Sequence, residues 1–179
     1  LHLVPMNLAL GGSLLAVVAR WRGRRDPHAL ALATGAAKVL PSVFAATVTL
    51  GVAPLLFLQV LHGRVFFGST VLMAWPWLSV VGLLLVAYYG TYRLAHHART
   101  VPARGLGLAA LVSALLMAVA FLYSSNMSLM LRAHAFGDMT AGGTSGWQWN
   151  LADPTLVPRY LHMLLGAIAA ISLIVGGIG

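Results

Sequence analysis

The chain has 179 residues, of which 60% are hydrophobic and only 8% are charged, whereas soluble domains carry about a quarter charged residues. This composition excludes a soluble protein and indicates an integral membrane protein. The absence of cysteine excludes disulfides, iron–sulfur clusters and covalently attached c-type haem, and a net charge of +8 dispersed among short connecting segments argues against nucleic acid as a partner.

Five apolar stretches are long enough to cross a bilayer, which requires roughly 20 residues per helix. The predicted spans are residues 3–19, 39–61, 71–92, 106–131 and 157–178. Pro41 and Pro54 lie in the second stretch and predict a kink or a delayed helix start. No repeat or linker divides the chain, so we expect an all-α bundle of five transmembrane helices that forms a single domain over residues 1–179.

The connecting segments differ in their basic residues, and this difference predicts the orientation. The first and third segments hold eight basic residues: Arg20, Arg22, Arg24, Arg25, Lys38, Arg93, Arg99 and Arg104. The second and fourth hold three: Arg64, Arg132 and Arg159. Because cytoplasmic loops carry the excess of Lys and Arg, we expect the N-terminus outside and the C-terminus inside. The longest connection, about residues 132–158, is then outside.

Four of the seven histidines, His2, His62, His134 and His162, fall on the predicted outer side of the bundle. Neutral imidazole is a common ligand of haem iron, and helix bundles hold cofactors between facing helices. These residues are therefore candidate haem ligands. The alternative is that each is an interfacial residue whose ring hydrogen-bonds a carbonyl group. Zinc is a weaker alternative, because no pair has close ligand spacing and no Cys or Glu supports a site.

Small residues are concentrated in the first and last apolar stretches. Gly11 and Gly12 lie in the first stretch, and Gly166 and Ala167 lie in the last. Such residues allow two helix backbones, or a helix and a flat macrocycle, to approach closely. We expect the faces of these two helices that remain exposed to contact a partner chain.

Several motifs occur in an order that resembles the N-terminal five-helix part of subunit I of the cytochrome bd quinol oxidases. A histidine opens the first helix in "LHLVPMNLALGGSLLAVV", and a lysine precedes the second in "AAKVLPSVFAATVTLGVAPLLFLQVLHG". A serine and an asparagine follow in "VSALLMAVAFLYSSNM", and "LADPTLVPRYLHMLLGA" resembles the start of the family's fifth helix. The resemblance covers nearly the whole chain.

The resemblance implies specific roles for two histidines. His2 matches the histidine that ligates a high-spin haem near the outer face, and His162 matches the histidine ligand of the low-spin b-type haem. The family's haems lie toward the outer side, as the charge pattern also predicts for these residues. The implied location is the bacterial inner membrane, with the haem site toward the periplasm.

The chain also departs from the family pattern. The family's third helix carries glutamates that serve oxygen reduction, whereas this chain has no glutamate, and its third helix reads "VLMAWPWLSVVGLLLVAYYGTYR". The family's quinol-binding loop and the methionine opposite the low-spin haem follow the fifth helix. A haem on His162 therefore needs a second ligand from another helix or subunit. His62 and His134 are candidates for a bis-histidine site suited to electron transfer.

These observations predict a non-catalytic subunit of an oxidoreductase complex that binds one or two haem b groups. It would relay electrons between quinol or cytochrome c and other membrane or cytochrome subunits. One alternative is part of a bd-type terminal oxidase, against which the missing glutamates argue. The other is a haem-free anchor that holds cytochrome partners at the membrane.

Overall fold

The computed structural model describes residues 2–100, 105–141 and 143–178, and this part of the chain is all-helical. The helices are α1 (Leu3–Arg22), α2 (Pro27–Leu61), α3 (Gly63–Leu72), α4 (Ala74–Thr100), α5 (Leu106–Met130), α6 (Phe136–Thr140) and α7 (Leu156–Ile178), with a short 3₁₀ turn at Ala133–Ala135. Arg104, one of the basic residues that predict the orientation, lies outside the described residues.

Five of these helices are long and apolar enough to cross a membrane: α1, α2, α4, α5 and α7. The predicted all-α fold with five spans is therefore confirmed, and the protein is a membrane protein. The spans after the third connection were placed closely, since 106–131 and 157–178 correspond to Leu106–Met130 and Leu156–Ile178.

The second span was expected within residues 29–61, with its membrane core at 39–61, and the helix that contains it is longer than that core. Helix α2 begins at Pro27 rather than near residue 39 and runs for 35 residues, about 52 Å at 1.5 Å per residue. Asp26 caps its start by accepting a hydrogen bond of 2.9 Å from the backbone N–H of His28, and Pro27 occupies the first turn, where its missing N–H costs nothing. Pro41 and Pro54 both lie inside the continuous helix, so the delayed start was wrong.

The second connection and the start of the third span also differ from expectation. Residues 63–72 form helix α3, and the helical conformation is interrupted at Met73 before α4 begins at Ala74. The break leaves backbone groups without partners from their own helix, and the long connection before α7 supplies them. The backbone N–H of Gln148 donates to the carbonyl of Leu72 at 3.0 Å, and that of Trp75 donates to the carbonyl of Gly146 at 3.0 Å.

Helix α1 lies at the centre of the bundle, in contact with α2, α5 and α7, while α4 packs against α2 and α5. Gly11 of α1 lies directly against the backbone of α7. A Cβ at this position would overlap the carbonyl oxygen of Ala167, so only glycine fits without a shift of one helix. At this point the two helix backbones approach closely, which is one of the two roles that the small residues of these helices allow. The main buried cluster joins five helices around Leu10, Phe44 and Leu94.

The chain direction sorts the connections between two ends of the bundle. The histidine end contains the start of α1, the end of α2, all of α3 and the connection from α5 to α7. The basic end contains the turn from α1 to α2, the end of α4 and the start of α5. Since the helices are long enough to cross the apolar layer, the two ends lie at its opposite faces.

Candidate functional site

All four candidate histidines lie at the histidine end. His2 immediately precedes α1, His62 lies between α2 and α3, His134 lies in the 3₁₀ turn, and His162 lies in the second turn of α7. Helix α1 and helix α7 both begin at this end, whereas α2 ends there. The helix order thus places the four residues at one end of the molecule, but their side chains have different surroundings.

His2 is the candidate ligand that the fold encloses best. Its ring lies against Gly51 of α2, where a Cβ would come within 2.8 Å of the ring carbon Cε1. Its Nδ1 atom is buried and has no hydrogen-bond partner in the described chain. A buried polar atom without a partner costs about 1–3 kcal/mol, so this nitrogen calls for a proton acceptor, a proton donor or a metal.

His62 is exposed and lies far along α2 from the ring of His2. It follows Gly51 by eleven residues, which at 1.5 Å per residue corresponds to about 16 Å along the helix axis. The large side chains before it are also uncovered, with Val60 81% and Leu61 69% exposed. The end of α2 therefore extends beyond the level at which His2 meets this helix.

His162 is exposed on the outward face of α7. Tyr160 and Ala167 mark the inward face: the Tyr160 hydroxyl donates to the carbonyl of Met117 at 3.1 Å, and Ala167 is fully buried. His162 follows Tyr160 by two residues, roughly 200° around the helix at 3.6 residues per turn. Its ring is consequently available to lipid or to a partner chain rather than to the interior of this bundle.

The four histidines therefore do not form one pocket within this chain. His134 is also exposed, and no group of three or more His, Asp or Glu residues in the described ranges is placed to hold a metal ion. A haem ligand fits best at His2, where a ring with an unpaired buried nitrogen lies against a glycine. His162 fits a ligand role only at a surface shared with another chain.

A buried polar contact joins α3, the break after it and α5. The Ser69 hydroxyl lies 3.2 Å from Oδ1 of Asn126, and the Asn126 amide nitrogen lies 4.0 Å from the sulfur of Met73. All three side chains are fully buried. In an apolar bundle, such an amide links helices because its polar atoms have no access to water. The resemblance singled out this part of α5, but the sequence did not identify the partners of Asn126.

A second polar cluster fastens the long connection to the end of α5. Asp153 accepts hydrogen bonds from the Thr155 N–H at 2.9 Å and the Thr155 hydroxyl at 2.8 Å. The Asn150 amide lies 3.4 Å from Asp153 and 3.4 Å from the carbonyl of Ser125, and Arg132 lies 3.4 Å from Oδ1 of Asn150. Asn150 adopts a left-handed backbone with φ of 52°, which asparagine tolerates better than most residues.

The charge state of Asp153 follows from these contacts. Burial alone would raise the pKa of its carboxyl group, but the hydrogen bonds from Thr155 and Asn150 and the positive charge of Arg132 outweigh burial. The pKa of Asp153 therefore lies below its ordinary value, and the group is a carboxylate at neutral pH. The sequence did not identify this cluster, although an Asp followed two residues later by Thr is a common local turn motif.

Comparisons of the chain with family models, curated proteins and solved structures found no match. The resemblance to subunit I of the cytochrome bd quinol oxidases therefore stays a prediction from the motifs.

Proposed function

We propose that this protein is a haem b-binding membrane subunit of an electron-transfer complex, and that His2 is an axial ligand. The observation that carries the proposal is the buried, unpaired Nδ1 of His2, whose ring lies against Gly51. When one ring nitrogen binds a metal, the proton of the neutral imidazole lies on the other nitrogen. Binding of a metal at His2 would therefore fix which of the two ring nitrogens is protonated.

The surroundings of His2 suit a ligand that must be held firmly. The residue directly precedes a long helix, and its ring lies against Gly51 of the neighbouring helix α2. A bound haem would supply one-electron redox chemistry, and the protein would supply the ligand, its orientation and an apolar environment that sets the potential.

The role of His162 in this proposal depends on a second chain. Its outward position on α7 makes it a ligand for a haem held between this helix and a partner subunit. Quinol and cytochrome c are the candidate donors and acceptors, and a site close to the membrane surface suits exchange with either. His62 and His134, both exposed, are candidate second ligands from the same end of the bundle.

The absence of glutamate favours electron relay over oxygen reduction. The three acidic residues of the chain are all aspartates, Asp26, Asp138 and Asp153. Asp26 caps α2 at the basic end, and Asp153 accepts hydrogen bonds within the long connection before α7. None of them replaces the membrane-embedded glutamates of the family that the chain resembles.

The proposal is tested by optical spectroscopy of the full-length protein purified in detergent after expression with a haem supply. We expect a Soret band, a b-type pyridine haemochrome and a reduced-minus-oxidised difference spectrum. His2→Ala should remove at least one haem signal, whereas His28→Ala, a matched change at the basic end, should leave the spectrum unchanged. Absence of any haem from the wild-type protein, or equal spectra for the two variants, would contradict the proposal.

A haem-free membrane anchor is the second candidate, and one observation favours it. His62, His134 and His162 are all exposed, as expected for interfacial residues. In that case, the same experiment gives a folded helical protein without a Soret band, and the partner chain carries the redox centres.

A further inference from the structure

The turn between α1 and α2 forms a basic groove at the basic end. The groove has a volume of about 510 Å³ and is lined by Trp21, Arg22, Arg24, Arg25 and Asp26. It lies apart from the candidate haem ligands and plays no part in the proposed electron transfer.

The positive charge of this groove is largely uncompensated. Its lining has three guanidinium groups and one carboxylate, and the carboxylate of Asp26 already accepts the His28 N–H that begins α2. Arg22, Arg24 and Arg25 are exposed, and within the described ranges no hydrogen bond or ion pair joins their side chains to another residue. Guanidinium groups offer forked donors that match the oxygens of a phosphate group.

The backbone holds this turn in a compact form. The N–H of Gly23 donates to the carbonyl of Ala19 at 2.8 Å, and the N–H of Arg25 donates to the carbonyl of Arg22 at 2.9 Å. A Cβ at Gly23 would lie 2.9 Å from the Cα of Leu30, so the two helices meet too closely here for a larger residue. The arginines therefore project from a backbone whose position is fixed by both helices.

The position of the groove identifies the kind of anion. The turn joins the ends of two membrane-spanning helices and thus lies at the level of the lipid headgroups. Trp21 is 62% exposed beside the arginines, and tryptophan prefers this level of a bilayer. A basic groove at this depth faces phospholipid phosphates at high local concentration.

We propose that the groove of Trp21, Arg22, Arg24, Arg25 and Asp26 binds the phosphate headgroup of an anionic phospholipid. The guanidinium groups of the three arginines contact the phosphate, and Trp21 lies along the adjacent lipid. Asp26 keeps its capping role and does not contact the anion.

Native mass spectrometry of the full-length protein in detergent tests this proposal with phosphatidylglycerol and phosphatidylcholine as probes. We expect wild type to retain phosphatidylglycerol in preference to phosphatidylcholine. The triple variant Arg22→Gln, Arg24→Gln, Arg25→Gln should lose at least about fivefold in affinity for phosphatidylglycerol, because each basic residue near an anionic headgroup contributes measurably.

The matched control removes the same charge from the other basic stretch of the sequence, with Arg93→Gln and Arg99→Gln in α4 and Arg104→Gln after it. This control should lose less affinity than the turn variant, and an equal loss would overturn the proposal. A conservative variant with lysine at positions 22, 24 and 25 preserves the charge and thereby addresses misfolding. It should bind more tightly than the glutamine variant, and equal binding by the two would also refute the site.

Inorganic phosphate distinguishes a lipid site from a general anion site. At millimolar concentration, it should leave bound phosphatidylglycerol in place, because it lacks the acyl chains that lie along the helices. Displacement of the lipid by phosphate would contradict the assignment to a phospholipid.

Discussion

Two adjacent glycines of α1 give a direct test of how the central helix packs. Gly11 meets α7 at Ala167, whereas the nearest atom to a Cβ at Gly12 is the Cδ1 of Leu40 at 3.8 Å, an ordinary contact. At Gly11, a Cβ would overlap the carbonyl oxygen of Ala167 and lie 3.1 Å from the Cβ of Ile171. Gly11→Ala thus requires a backbone to move, and Gly12→Ala does not.

The difference between the two variants isolates the cost of this overlap. Both replace glycine with alanine in the same helix, so the change in helix propensity, at most about 1 kcal/mol, cancels between them. Overpacking a well-packed interface costs about 1–3 kcal/mol. We therefore expect the free energy of unfolding of Gly11→Ala to be about 1–3 kcal/mol lower than that of Gly12→Ala. This difference corresponds to a factor of about 5 to 150 in the folding equilibrium constant.

The measurement is unfolding of the purified protein in mixed micelles with increasing SDS, followed by tryptophan fluorescence and far-UV circular dichroism. Gly12→Ala should be as stable as wild type or more stable. If Gly11→Ala unfolds at the same SDS fraction as Gly12→Ala, the close contact of α1 with α7 described here is incorrect.

Two further predictions concern the polar clusters at the histidine end. Asn126→Ala should lower the free energy of unfolding by about 0.5–1.5 kcal/mol, because it removes the interhelical hydrogen bond of Ser69, whose hydroxyl keeps its bond of 2.9 Å to the carbonyl of Phe66. Asn7→Ala on α1 should have a smaller effect in the same SDS titration. The folded-state pKa of Asp153 lies below its unfolded value of about 3.9, so its stabilisation is present above that pH and is lost as the pH falls through the folded pKa. Asp153→Asn should remove this part of the acid dependence of the unfolding midpoint, and Asp138→Asn, at an exposed carboxylate, should leave it in place. An unchanged acid profile for Asp153→Asn would contradict the assigned contacts.

The spans were predictable because a bilayer imposes length and apolarity on every helix that crosses it. The start of α2 was misplaced because Pro41 suggested an interruption. The Asp26–Pro27 pair carried the correct signal, an N-cap followed by proline in the first turn. Helix α3 was missed because its ten residues are too few to span a bilayer and its first residue is a glycine.

The candidate site was predictable only in part, for a geometric reason. Helix order and direction determine the end of the bundle at which a residue lies, and both can be read from the apolar stretches. The direction of the His162 ring depends on which face of α7 packs against α1. The surroundings of the His2 ring depend on its contact with Gly51, which lies on another helix, α2. Neither depends on local sequence pattern.

The hydrogen bonds that close the break at Met73 have a consequence for biosynthesis. Leu72 and Trp75 are paired with residues more than seventy positions later in the chain, in the connection that leads to α7. In a growing chain, these partners are synthesised only after α5, the fourth membrane-spanning helix, is complete. The two hydrogen bonds at the break therefore form only once the connection that leads to α7 has been made.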